Sequence, residues 1–229
     1  MVIQKKIEYS ERMRRPERAA SYNTKYEREF HKRVSDRREK RLLASILEPL
    51  GRHERLLDVP CGAGRLSGVF SRYANHVFEV DYSRELARLC RANARDYEPL
   101  LVNATAFQLP FPDRSMDLIV SVRLSHHVPE HEERLKLLRE LLRVSRRFVL
   151  FSFFDRDSLK NRMRDLGRKL GSGKRGKYTL SRADVTACAA ENGFALLRAP
   201  MLSWAFSGHR FAVLHRPPSN GRTTRTQRR

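Results

Sequence analysis

The sequence predicts an α/β fold: a mainly parallel, seven-stranded sheet with an antiparallel last strand, helices on both faces and further helices ahead of it. Three observations predict it. From Leu56 onward, short apolar runs of strand length alternate with segments of helical period. The first run ends in a glycine turn, Pro60-Cys61-Gly62-Ala63-Gly64, that opens a helix. The last two runs follow each other with no helix between them and so pair antiparallel, whereas strands joined through helices pair parallel.

The elements follow in order. After Pro16, Ala19, Ala20, Tyr22, Tyr26 and Phe30 recur at roughly helical spacing. A second helix is expected from Ser35, with Leu42, Leu43, Ile46, Leu47 and Leu50 as its stripe and Gly51 as its stop. Residues 56–59 form the first strand, and a helix is expected over 65–73. Residues 76–80 form the second strand, closed by Asp81, and Ser83 caps the helix that carries Leu86, Ala87 and Cys90. Strands over 100–102 and 117–122 come next. Pro129 opens a helix with Glu130, Glu132 and Glu133 where carboxylates suit the helix dipole, and Leu135, Leu138 and Leu142 are expected to face inward. Residues 148–154 form the fifth strand. Ser181 and Asp184 have the spacing of a capping box, and Gly193 ends that helix. Residues 195–202 and 210–215 are the final pair.

The chain has 229 residues, which suits one domain with additions, or at most two. The expected division is a basic helical extension over 1–54, a core domain over 55–216 with a basic insertion at 156–178, and a disordered tail over 217–229. The formal net charge is +21, from 47 Lys/Arg and 26 Asp/Glu. It is unevenly spread: residues 156–178 carry 9 basic against 2 acidic residues, and residues 216–229 carry 5 against none. Such an excess points to an anionic partner: a phosphorylated or acidic acceptor, or charge-driven contact with nucleic acid or an anionic membrane. No apolar run approaches the ~20 residues of a membrane span. The N-terminal residues are charged, without the apolar segment of a secretory signal. Cys61, Cys90 and Cys188 are scattered without zinc-ligand spacing, so no metal site is expected. The cytoplasm is the expected compartment, with the inner face of a membrane as a second placement.

In sheets of this kind a ligand binds beyond the strand ends where strand order reverses. Gly62 and Gly64 can take backbone angles closed to other residues and let a ligand approach the main chain. Two glycines alone also suit a plain tight turn. Asp81, at the end of the next strand, has the position of an acid that accepts ribose hydroxyls. The third glycine of a dehydrogenase fingerprint is absent, because position 67 is Ser.

Asp58-Val59-Pro60-Cys61-Gly62-Ala63-Gly64, Asp81 and the stretch Leu109-Pro110-Phe111-Pro112-Asp113 through Asp117-Leu118-Ile119-Val120, with His126-His127-Val128 beyond, together resemble S-adenosylmethionine-dependent methyltransferases of the seven-stranded, Rossmann-like fold. The similar branch contains ubiquinone, menaquinone and many small-molecule methyltransferases. The resemblance implies S-adenosyl-L-methionine as cofactor. It implies that Asp58 orients the turn and the methionine end, that Gly62 and Gly64 lie under the cofactor, and that Asp81 binds the ribose. Asn103 and Ala104 match the pair that meets adenine, and Val122 and Arg123 the strand end that holds the amino group. Pro60 stands where that family usually has a glycine, and Asn103 where it usually has Asp; an amide oxygen can still accept from an amino group. Tyr22 and Tyr26 resemble aromatics that lid the cofactor, and equally suit a helix core.

Methyl transfer asks the protein mainly for placement and sometimes for a base. His126 and His127 lie just after the fourth strand and are the candidate bases; they also suit packing against the next helix. The insertion lies where this family usually builds its acceptor site. The reading is a methyltransferase for an anionic small-molecule, lipid or glycolipid acceptor. The alternatives are an RNA methyltransferase, and a non-catalytic cofactor- or nucleic-acid-binding protein of the same fold.

Overall fold

The structure, a computed structural model, describes residues 30–171, 177–203 and 207–218. Tyr22, Tyr26, the first expected helix, the glycine-lysine stretch at 172–176 and the tail from 219 onward lie outside the described residues.

Helix α1 (Phe30–Leu47) is continuous through Ser35 and begins five residues earlier than expected. Leu43, Ile46 and Leu47 anchor it in the core and Glu39 is fully buried, so packing rather than a cap sets its course. A single 3₁₀ turn follows, and Gly51 closes it with φ of 76°. Strand β1 (His53–Asp58) then begins, so the sheet starts two residues before the expected domain boundary. The helix expected over 65–73 is one α-turn, α2 (Ser67–Phe70), and a 3₁₀ turn. It is short because β2 (Ala74–Asp81) starts at once, with Ala74 paired to His53.

Helix α3 (Arg84–Asn93) starts at the predicted cap: Ser83 Oγ accepts from Leu86 N–H at 3.3 Å. Strands β3 (Leu100–Asn103) and β4 (Met116–Ser121) follow. Val122, expected in the fourth strand, has left the ladder, whose last pair with the next strand is Ser121 with Phe151. Helix α4 (His131–Val144) buries Leu137, Leu138, Leu141 and Leu142 completely. Leu135, expected inward, sits at the edge of that stripe and is only partly buried. Strand β5 (Ser145–Phe154) begins directly, three residues ahead of expectation, because Ser145 pairs with Met116.

Helix α5 (Leu159–Lys169) occupies the basic insertion. Helix α6 (Arg182–Glu191) has the predicted capping box of Ser181 and Asp184. Strand β6 (Ala195–Arg198) is shorter than expected, and Pro200, lacking an N–H, follows its end. Pairing resumes beyond it, where Leu202 N–H donates to His209 C=O at 2.9 Å. Strand β7 (His209–His215) closes the sheet, whose order is β3-β2-β1-β4-β5-β7-β6. Strand β7 is antiparallel to both β5 and β6, and the other pairs are parallel.

Adjacent strand residues feed opposite faces. Leu56, Leu118, Leu150 and Val213 join Leu43, Ile46, Leu47 and Phe70 on one side. Leu57, Ile119, Val149 and Leu214 join the leucines of α4 and Val185, Cys188 and Ala189 of α6 on the other. This layering holds β1 and β4 side by side at the centre, which is where the strand order reverses.

Candidate functional site

Asp58 ends β1, and the chain turns through Val59 to Gly64 above it. Val59 N–H donates to Val120 C=O and Cys61 N–H to Val80 C=O, each at 2.9 Å, so the turn is pinned to both neighbouring strands. Gly62 and Gly64 have φ of 57° and 77°, the left-handed region that favours glycine. Their surroundings differ. A Cβ on Gly62 would meet nothing within 4 Å, whereas one on Gly64 would lie 3.0 Å from Cys90 Sγ and 3.2 Å from its Cα. Gly64 therefore gives close packing between the turn and α3, and Gly62 is the glycine beside open space. Pro60, between them and β1, has neither a positive φ nor a bond to donate.

Asp81, buried at the end of β2, accepts from Gly62 N–H at 3.0 Å and Ser83 N–H at 2.8 Å. Burial pushes its carboxyl up to about 6, against the pull of the backbone N–H groups of Ser83, Gly62 and Tyr82. One carboxylate thus joins the turn to the next loop, and each oxygen keeps a further lone pair for a hydroxyl. Asn103 pairs with Asp81 across β3. Its amide donates to the Asp81 and Tyr82 carbonyls, both at 2.9 Å, and its Oδ1 accepts from Arg84 Nε at 3.3 Å. Ala104 N–H donates to Asp81 C=O at 3.3 Å. A pocket of about 380 Å³ opens here, with Tyr82, Arg84, Glu85 and Asn103 in its walls.

Asp58 is fully inside, and its partner is Glu79 of β2. Burial and the neighbouring Glu79 charge push the Asp58 carboxyl well up; burial also raises Glu79. The two carboxyls are an acid pair under the turn, with Tyr97 OH donating to Glu79 Oε1 at 3.1 Å. The sequence reading missed Glu79, although an acid between Phe78 and Val80 of a buried strand is a visible signal.

The end of β4 carries a second cluster. Arg123 has φ of 64°, its N–H donates to Ser152 Oγ at 2.7 Å, and its guanidinium meets Glu39 of α1. His126 and His127 lie in a 3₁₀ turn, ring centroids 4.1 Å apart, with His126 edge-on to Phe154 at 4.7 Å. Phe154 also contacts His209, the residue opposite it on β7, at 5.4 Å, and Lys177 Nζ lies 5.5 Å over its ring. Burial is the main cause that lowers all three histidines. His126 falls to about 2 and His127 to about 4, with Lys177 and Arg123 adding to both. His209 is lowered too, although Glu39 pulls the other way. Burial thus favours the neutral imidazole in all three and weakens each as a base.

The structure thus places Pro60, Gly62 and Gly64 in the turn beyond β1, Asp58 buried beneath it, and Asp81, Asn103 and Ala104 at the neighbouring strand ends, with Val122, Arg123, His126 and His127 beyond β4. Glu39, Phe154, Lys177 and His209 complete that end and were not legible as site residues, since no local motif surrounds them. The backbone open at Gly62 and the pocket beside Asn103 fit a nucleoside-bearing cofactor.

A family model described as "Methyltransferase domain" matches residues 57–151. The 27-O-demethylrifamycin SV methyltransferase of Amycolatopsis mediterranei is 32% identical over 127 residues, 53% of this chain and 44% of that protein. The tRNA (carboxymethyluridine(34)-5-O)-methyltransferase alkbh8 of Xenopus tropicalis is 29% identical over 105 residues, 46% of this chain and 16% of that protein. The chain thus spans less than half the length of these curated relatives. The crystal structure of magnesium protoporphyrin IX methyltransferase (ChlM) from Synechocystis PCC 6803 with bound SAH superposes with a TM-score of 0.70 at 21% identity, covering 82% of this chain and 88% of that one.

Proposed function

We propose that this chain, with a methyltransferase domain over residues 57–151, transfers the methyl group of S-adenosyl-L-methionine to an anionic acceptor of small-molecule, lipid or glycolipid type. The observation that carries the cofactor reading is the turn beyond β1, at the strand-order reversal, where Gly62 leaves the backbone open and Asp81 accepts its N–H. Asp81 would hold the ribose, Asn103 and Ala104 the adenine, and Val122 and Arg123 the amino-acid end. Asp58 would act from below, through the turn it ends. When bound, the cofactor supplies a sulfonium methyl that is already activated.

The chain's own residues would then supply placement and a dry wall. Phe154, His126 and His209 are packed side chains at the β4–β5 end. His127 is the better candidate to take a proton from the acceptor, because burial lowers it less than His126. The anionic character of the acceptor rests on Lys177. Its ammonium is held below its ordinary range by burial and by the charges of Arg164 and Lys160. A phosphate or carboxylate in front of it would offset the repulsion from Arg164 and Lys160 and favour the charged ammonium.

Calorimetry with S-adenosylmethionine and its demethylated product tests the cofactor reading, with Asp81→Ala as the control that should lose binding. Unchanged affinity in Asp81→Ala would overturn the ribose assignment. Mass spectrometry of small molecules and lipids from a deletion strain, searching for species one methylene lighter, would identify the acceptor. A second reading, an RNA methyltransferase, is supported by the charge of +21 and by the tRNA methyltransferase among the relatives. RNA binding that is tight and structure-selective at physiological salt would promote it. Binding that salt removes, with a log-log slope of roughly −0.7 per phosphate contact, is what any strongly basic chain gives. Cofactor binding with no turnover on any candidate acceptor would favour a non-catalytic protein.

A further inference from the structure

We propose that helix α5 is a docking element that lies in the surface of an anionic lipid bilayer. This deepens the proposed function, and rests on it for the link between docking and an acceptor.

A surface helix of a folded domain normally turns its apolar stripe inward. Helix α5 does the reverse. Leu159, Met163 and Leu166 are 45%, 64% and 58% exposed, and Leu170 at its C-cap is 78% exposed. At 3.6 residues per turn these four side chains fall within a sector of about 60°. On the opposite side Asn161 faces the protein. Asn161 is buried, its amide donates to Asp155 C=O at 2.7 Å, and Arg164 donates to its Oδ1 at 2.9 Å. Ser158 caps the helix at Asn161 N–H. Asp155, at the root of this cluster, is in turn held by Arg210 of β7 at 2.7 Å. The helix is therefore fastened through Asn161, and its apolar stripe is left outward.

The same helical geometry puts Arg162 and Lys169 on one flank of the stripe and Lys160 on the other. Residues 156–171 carry six Lys/Arg against two Asp. An apolar stripe between cationic flanks matches the layering of a bilayer surface, acyl chains beneath anionic headgroups. A protein groove would need complementary shape, but a lipid surface needs only this order of layers. No described helix is long and apolar enough to cross a membrane, so contact through α5 would be peripheral. The helix follows the β5 end at Phe154, so docking would bring the His126–Phe154–Lys177 cluster toward the headgroups.

The test is co-sedimentation of the full chain with vesicles of phosphatidylcholine alone or mixed with phosphatidylglycerol, at about 0.15 M salt and without cofactor or acceptor. The wild type should bind the mixed vesicles and not the neutral ones. Met163→Gln with Leu166→Gln should weaken binding roughly tenfold or more, because apolar area sets interfacial affinity. Arg162→Gln with Lys169→Gln should weaken it too, and neither pair should change the melting temperature. Leu170→Gln alone, beyond the last helical turn, gives an independent reading of the stripe. Wild-type binding by the Met163/Leu166 variant would overturn the proposal and assign vesicle affinity to charge elsewhere. So would a wild-type dimer that this variant splits, because a second copy would then cover the stripe. Vesicle binding is read without methyl transfer, so loss of either reading leaves the other measurable.

Discussion

Glu39 of α1 and Arg123 beyond β4 are bound side to side, with Arg123 Nε 3.0 Å and 3.1 Å from the two carboxylate oxygens. Arg65, just after the glycine turn, donates to the same carboxylate at 2.8 Å. One buried acid thus ties the helix ahead of the sheet to both halves of the candidate site. Burial alone would push its carboxyl up, but contact with His209 and the charges of Arg65 and Arg123 outweigh it and hold it well below the usual carboxylate range.

Glu39→Gln should therefore destabilise the fold by about 3 kcal/mol, because Arg123 loses its carboxylate partner and Arg65 is left with Asp36 alone. Denaturant titration measures it. The native pKa is depressed, so the contribution is fully present above the unfolded value of 4.5 and is lost as pH falls below it. The wild type should lose more stability than Glu39→Gln between about pH 5 and 3. Equal losses would show that the carboxylate is not the stabilising charge.

The two turn glycines should separate under substitution. Gly64→Ala brings a Cβ to 3.0 Å from Cys90 Sγ and strains a left-handed residue, so it should lower stability by about 1–3 kcal/mol. Pairing it with Cys90→Ala should restore part of that. A Cβ at Gly62 meets nothing within 4 Å, so Gly62→Val carries the strain of a left-handed residue without that clash and should in addition lower S-adenosylmethionine affinity. Normal cofactor binding by Gly62→Val would make the turn structural only.

Cofactor affinity should fall in acid. The Asp81 carboxyl is raised to about 6, and accepting two ribose hydroxyls needs its ionised form. Affinity should be full above about pH 7 and decline through pH 6 as the carboxylate takes its proton. Calorimetry at stepped pH checks this, and Asp81→Asn should bind weakly with a flat profile. A wild-type profile level down to pH 5 would remove Asp81 from the binding site.

His126 and His127 should stay neutral across the ordinary histidine range. Their ring carbon–hydrogen NMR signals should not shift between about pH 8 and 5.5, where an unperturbed imidazole takes up its proton. A midpoint near 6.5 for His127 would show a wetter site than its burial implies, and a stronger base.

Local sequence determined the strands, their order of appearance and the glycine turn. Hydrophobic period and turn chemistry act between near neighbours, so β1, Gly62, Gly64, Asp81 and the Ser181–Asp184 capping box could all be read directly. The paired course of β6 and β7 was legible for the same reason, since no helix separates them. Tertiary structure decided what depends on distant partners. Glu39 reads in the sequence as one acid in a basic helix; only packing of α1 against the sheet sets it between Arg65, Arg123 and His209. Phe154 and His209 face each other because β5 and β7 are antiparallel, 55 positions apart in register terms that no local pattern encodes. Helix α5 shows the same limit from the other side. Its apolar period would predict an inward stripe, but buried Asn161 and Asp155 fasten the opposite face, and long-range hydrogen bonding overrides the local pattern.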